Sequence, residues 1–321
     1  MTRLFLSATL VAIAGHAASA EVPEVVTDIP VIHSLVSQVM GDLGTPQLLQ
    51  DQSADAHDFQ LRPSQIRALN GAGLIIWTGA EMSPWLARSM GGSGEALSLD
   101  LLHQPGTAIR TYAQSALHEA DDDDDHDSDH DGHAHEHHGA DEDAHDHTGL
   151  DPHAWLDPDN AALWIGLISD ALVERDPGNA VTYRANASLA QARIQTLNET
   201  ISVALKDAGA QPIVVAHDAY GYFADHFGLT IAASLAEGDA SDPGAAHLSE
   251  VRALLDAGDG LCIFPEAARD PAPVHALADG TNTRIGAPLD PEGRDTAPGP
   301  MLYETMLRAM ATAIVECQSG P

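Results

Sequence analysis

The sequence is short of cysteine, of basic residues and of long apolar runs, and each shortage narrows what the chain can be. Cysteine occurs only at Cys262 and Cys317, in the last fifth of the chain, and an isolated pair in an exported chain predicts a disulfide rather than a metal site. Lys and Arg number 14 against 48 Asp and Glu, giving a net charge of -34. Setting aside the 14 acids of one loop still leaves about -20, so the acidity belongs to the whole body. That argues against nucleic acid or an anionic membrane surface as partner and suits the attraction of cations. After the first 20 residues no run approaches the roughly 20 apolar residues that a membrane span requires. The metallopeptidase pattern H-E-x-x-H is also missing, its nearest approach being His135-Glu136-His137-His138.

What is there begins with MTRLFLSATLVAIAGHAASA, where Arg3, the apolar run Leu4 to Gly15 and Ala18-Ser19-Ala20 predict a cleavable secretory signal over residues 1–20 and a mature chain starting at Glu21. The remaining 300 or so residues predict two domains of ordinary size. Within the first of them runs His118 to Thr148, HEADDDDDHDSDHDGHAHEHHGADEDAHDHT, which holds nine of the eighteen histidines. It has no apolar periodicity and predicts a solvated, disordered loop. Mixed imidazole and carboxylate at this density suit borderline divalent metals, zinc first, although a floppy run holds metal only loosely. A tight site needs ligands from the folded parts on either side.

Those parts read as alternating strands and helices. Before the loop come an apolar run at Val25 to Ile29, a helix from Ile32 to a Gly41 stop, a strand at Leu48-Leu49, a helix from Pro63 to Asn70, a strand at Leu74 to Trp77, another helix, and a strand at Ala96 to Leu99. After it come a helix from Asn160 to Glu174 and a long periodic segment in which Tyr183, Ala187, Ala190, Ile194, Leu197, Ile201 and Leu205 recur every three or four residues. A second series follows: strands at Ile213 to Ala216, Thr230 to Leu235, Leu261 to Phe264 and Thr283 to Ile285, and helices at Tyr220 to Phe227, Leu248 to Ala257 and Met301 to Cys317. The alternation predicts parallel sheets flanked by helices.

Ligands of open α/β sheets bind outside the carboxyl ends of the strands, which singles out three histidines. His57 follows the Leu48-Leu49 strand, His153 lies in the segment entering the Asn160 helix, and His217 ends the Ile213 strand. Each has an acid close by, in His57-Asp58, Asp151-Pro152-His153 and His217-Asp218, and such a carboxylate can take the second ring N–H of a ligating imidazole. Each histidine alone has a structural role as its simpler reading; jointly, beside a metal-gathering run, they read as ligands. His33, His103, His226, His247 and His275 are expected on helix or loop surfaces as solvated or satisfied side chains.

The stretches HDFQLRPSQIRALNGAGLIIWTGAEM, DPHAWLDP, VVAHDAYGYFADHFGL and IGAPLDPEG, in this order, resemble the periplasmic zinc-binding proteins of bacterial high-affinity zinc ABC importers over nearly the whole mature chain. The resemblance implies an α/β fold of two β/α lobes with parallel-type sheets joined by one long helix, and a metal site in the interlobe cleft. It places the lobes at 21–159 (with the loop 118–148) and 209–321, the helical connection at 160–208 and the linking helix at 180–208. It further implies that His57, His153 and His217 bind Zn2+, and that the partner is an ABC-type zinc permease in the inner membrane, served by a monomer in the periplasm rather than by an enzyme. Manganese-binding relatives tend to carry a carboxylate where this chain keeps His217, and three nitrogens with one oxygen suit zinc better. Some zinc members carry Glu just before the first histidine; here Ala56 stands there, leaving the fourth position to Asp290, to water or to another group. A zinc buffer that never meets a transporter, a manganese-binding relative and a zinc hydrolase are the competing readings.

Overall fold

The computed structural model describes residues 22–51, 54–57, 59–92, 97–112, 149–209, 211–236, 238 and 243–320. The expected secretory signal, 1–20, and the expected loop, 118–148, lie outside the described residues. The chain runs β1 (Val25–Thr27), α1 (Pro30–Met40), β2 (Gln47–Leu48), α2 (Pro63–Gly71), β3 (Leu74–Trp77), α3 (Pro84–Ser89) and β4 (Leu97–Asp100). It continues through α4 (Pro158–Arg175), α5 (Ala180–Ala208), β5 (Ile213–His217), α6 (Gly221–Phe227), β6 (Ile231–Ala236), α7 (Ala245–Ala257), β7 (Cys262–Phe264), α8 (Ala272–Ala278), β8 (Arg284–Ile285) and α9 (Leu302–Ser319). Proline supplies the first turn of α1, α2, α3 and α4, where its missing N–H costs nothing. The Asp157 side chain caps α4 by accepting the Asp159 N–H at 2.9 Å. Of the described helices, α8 was not anticipated: its apolar face is short, with only Val274 and Ala278 buried.

The strands form two parallel sheets in the orders β2-β1-β3-β4 and β6-β5-β7-β8. Strand alternation sorts their residues onto two faces. Val25, Leu74 and Ile76 of the first sheet, and Ile213, Val215, Cys262 and Phe264 of the second, face a shared apolar layer built from α1, α4, α5 and α9. Their neighbours face outward, Val26, Ile75 and Trp77 against α2 and α3, and Val214 and Ile263 against α7 and α8. Two lobes thus lean on one continuous core.

The long helix α5 has 29 residues, about 44 Å at ~1.5 Å per residue. Its buried residues are Tyr183, Ala187, Ala190, Ile194, Leu197, Ile201 and Leu205, the whole periodic set. It packs on α4, α9 and α1, and Arg193 ties the three-way junction by donating to Glu304 Oε1 of α9 at 3.1 Å and to Gln38 Oε1 of α1 at 2.9 Å. The Cys262–Cys317 disulfide joins β7 to α9 with 6.1 Å between Cα atoms, as the lone cysteine pair predicts. No helix among the described residues is long and apolar enough to cross a membrane.

Candidate metal centre

The loop after the edge strand β2, the segment entering α4 and the carboxyl end of the central strand β5 bring the three singled-out histidines to one place. The ring centroids of His57 and His153 lie 5.9 Å apart and those of His153 and His217 5.3 Å apart. His153 and His217 are buried and His57 is half-buried. His57 comes from the loop between β2 and α2, where its backbone N–H donates to Asp55 Oδ1 at 3.0 Å. His153 sits just before a short 3-10 turn at Ala154–Leu156, and His217 is the last residue of β5. The segment carrying His153 is anchored by the antiparallel bridge Thr111–Leu150, three residues before this histidine.

Two of the imidazoles have their tautomer set. Asp151 Oδ1 accepts both the backbone N–H of His153 at 3.0 Å and its Nδ1–H at 2.9 Å, while Oδ2 meets Arg110 at 3.3 Å. Glu266 Oε2 accepts from His217 Nδ1 at 3.0 Å, and Oε1 takes Arg269 Nε at 2.6 Å. A carboxylate can only accept, so the proton sits on Nδ1 in both rings and Nε2 carries the lone pair that a metal uses. The adjacent-acid pattern therefore holds for Asp151 and His153 but not for His217, whose partner is Glu266, 49 residues on, instead of Asp218. Sheet order explains the difference: β5 and β7 are neighbours, so the residues just past their ends meet. Asp58 lies outside the described residues.

Acidic groups crowd the same space. Burial opposes the charge of Glu266, but the His217 ring and the Arg269 guanidinium more than offset it and hold the carboxyl down at about 2. Burial, reinforced by Asp151, pushes Asp218 up to about 6. Burial also pushes Glu292 up to about 7, with Arg294 opposing and Asp55 and Glu266 adding. Asp290 is raised by burial against the pull of backbone N–H groups. Its two oxygens are both engaged, Oδ1 with the Arg294 N–H at 2.9 Å and Oδ2 with the Asp295 N–H at 3.0 Å. Sequence reasoning passed over Glu292, although it stands in the quoted IGAPLDPEG; Asp55, His57 and Glu292 each present one donor atom, all within 4.8 Å of one another.

The remaining histidines divide. His103 pairs with Asp100 and Glu81 at the surface, and His226 with Asp157. His33 and His247 depart from the surface expectation: both are buried, and each ring Nε2 donates to a backbone carbonyl, that of Pro46 at 3.2 Å and that of Ser234 at 2.8 Å. Their helices turn them inward, where the carbonyl at a neighbouring strand edge satisfies them.

With three imidazoles at the strand ends between two lobes, similarity to known proteins has a specific meaning. The family model described as zinc-uptake complex component A, periplasmic, matches residues 25–317. The chain belongs to this zinc-uptake family, ZnuA. It is 46% identical over 303 residues to the high-affinity zinc uptake system protein ZnuA of Paracoccus denitrificans, covering 94% of this chain and 93% of the relative. It is 34% identical to the ZnuA of Brucella suis biovar 1, covering 98% of each chain. Among solved structures, a zinc-bound ZnuA deletion mutant superposes with a TM-score of 0.72 at 21% identity, covering 93% of this chain and 98% of that one. The periplasmic zinc-binding protein TroA of Treponema pallidum gives 0.72 at 19%, covering 93% and 99%. At these identities the two structures speak to the fold, which is that of ZnuA and TroA: two parallel-sheet lobes joined by a long helix.

Proposed function

We propose that this chain is a periplasmic solute-binding protein that captures zinc between its lobes and delivers it to an ABC-type permease for import. The observation that carries the reading is the convergence of His57, His153 and His217 from three strand-end loops, two of them with Nδ1 already committed to a buried carboxylate. An enzyme site needs a substrate-positioned base and an open coordination position; here Asp151 and Glu266 are spent on orienting His153 and His217. Three nitrogen donors favour zinc over manganese. The ligand set is His57, His153 and His217 with one oxygen from the turn that contains Asp290. Zinc is cargo, so its release matters as much as its capture.

In this reading residues 1–20 direct export and are removed, the lobes are 21–159 and 209–321, the connection is 160–208, and the mature protein works as a monomer. The test is a zinc titration of the mature chain by calorimetry together with zinc-dependent capture of the permease in membranes. Tight one-to-one zinc binding that His153→Ala abolishes, with capture only of the loaded form, supports the reading. Tight binding without any permease capture would make the chain a buffer instead.

A further inference from the structure

His57 and His217 come from different lobes, and one side chain outside the proposed ligand set ties both of their supports together. Arg269, in the turn after β7, donates its Nε–H to Glu266 Oε1 at 2.6 Å and an Nη2–H to Asp55 Oδ2 at 3.1 Å. Each of these acids already serves a histidine. Glu266 Oε2 accepts the Nδ1–H of His217 at 3.0 Å, and Asp55 Oδ1 accepts the backbone N–H of His57 at 3.0 Å. An unbroken run of hydrogen bonds therefore leads from the His217 ring through Glu266, Arg269 and Asp55 to His57. It crosses the cleft, because the residue between Asp55 and His57 is held to the first lobe: Ala56 is buried and its carbonyl accepts the Nε1–H of Trp85 in α3 at 2.7 Å.

The backbone that presents Arg269 is strained. Ala268 has φ 58, and among the described residues it is the one non-glycine with positive φ, a left-handed conformation that costs an L side chain energy and that surrounding contacts must hold in place. The turn closes with Arg269 N–H on Glu266 O at 3.4 Å and brings the guanidinium back onto the carboxylate three residues earlier. Ala267 N–H on Leu289 O at 2.8 Å fixes the same turn to the second lobe. Two carboxylates on opposite sides of the cleft call for a planar fork rather than a point charge, which is what arginine offers and lysine does not. The two arms are unequal. Glu266 is buried and lies within the turn, whereas Asp55 and Arg269 are each about a third exposed, so water and salt screen the arm that crosses the cleft. Arg294 reaches the same Asp55 oxygen only at 3.8 Å.

Resting on the three-histidine reading, we propose that Arg269 is a positioning residue that latches the lobes across the cleft. It couples the seat of His57 to that of His217, so that zinc is retained while the Asp55 arm holds and leaves faster when that arm opens. The weaker, screened arm is the one that gives first, and the arm that orients His217 stays with its own lobe.

The experiment uses the full mature chain and measures the rate of zinc release to a chelator by stopped flow, at low and at high salt. It compares the parent with Arg269→Gln, Arg269→Lys, Asp55→Asn, the Arg269→Gln/Asp55→Asn double variant and His153→Ala, and records the visible d–d absorption of bound Co2+ for each. At low salt Arg269→Gln and Asp55→Asn should each speed release by about 2- to 5-fold, the upper part of the range for an ion pair of this exposure. The double variant should fall short of the product of the two, because one bond cannot be lost twice. Release from the parent should quicken with salt more than release from either variant. Arg269→Lys keeps the charge but not the fork, and it too should release faster. Asp55→Asn keeps an oxygen for the His57 N–H, so it carries the test should Arg269→Gln fold poorly; its Co2+ spectrum should match the parent, since Asp55 acts through His57. A changed spectrum in that variant, strictly multiplicative effects, or parental release rates in both single variants while His153→Ala still abolishes tight binding would each overturn the latch alone. Tight binding that survives His153→Ala would instead remove the three-histidine site beneath it.

Discussion

Glu266→Gln puts the orienting role of a buried carboxylate to a quantitative test. In the native site Oε2 accepts the Nδ1–H of His217 at 3.0 Å and Oε1 accepts Nε–H of Arg269 at 2.6 Å. A glutamine has one oxygen acceptor, so one of these two donors must face an NH2 group instead. If the amide oxygen keeps His217, Arg269 is left with Asp55 at 3.1 Å, and since it is about a third exposed (32%), water screens the loss. If the oxygen turns to Arg269, His217 loses the acceptor that fixes its tautomer. Apo stability should fall by about 1–3 kcal/mol, the range for a buried charge-assisted hydrogen bond. Zinc affinity should fall by about 10- to 100-fold, or ~1.4–2.7 kcal/mol. Urea unfolding of the metal-free protein and chelator competition read the two effects separately. A folded variant that binds zinc as tightly as the parent would refute the argument that Glu266 prepares His217 for metal.

Four shorter tests follow from other parts of the molecule. Opening the Cys262–Cys317 link, 55 residues apart, by Cys317→Ser should cost about 4 kcal/mol in the chain-entropy model; equal denaturant midpoints for variant and parent would discount that contribution. Zinc affinity should weaken as pH falls through about 6.5, since three imidazoles must be neutral to ligate, and a flat profile there would contradict a three-histidine site. The hydrogen bond to Asp157 raises the pKa of His226 above its ordinary 6.5 against partial burial. That stabilisation is fully present below 6.5 and is lost as pH rises through the folded value, so His226→Gln should lose stability on the acid side and match the parent at higher pH; parallel curves would reject it. Deleting residues 118–148 should leave one tight zinc site and remove weaker binding, and loss of the tight site would reverse the roles assigned to loop and lobes.

Much of this was legible in the residues alone because it depends on local periodicity. The seven apolar positions of α5 lie on one stripe whatever they pack against, and all seven are buried. Leu74 to Trp77 reads as a strand for the same reason, and the two histidines His153 and His217 announce themselves by ending strands or opening helices. Where the reading stopped, the missing information was long-range. His217 takes its partner from Glu266 because β5 lies beside β7, an adjacency that no spacing in the sequence encodes. His33 and His247 look like surface residues in a helical pattern, yet tertiary packing brings a strand-edge carbonyl to each. Asp290 and Glu292 are two residues apart in one motif, and composition cannot rank them. Only the folded turn separates them, engaging both oxygens of Asp290 in backbone N–H bonds and burying those of Glu292 without a hydrogen bond, because that difference is made by the path of the backbone and not by composition.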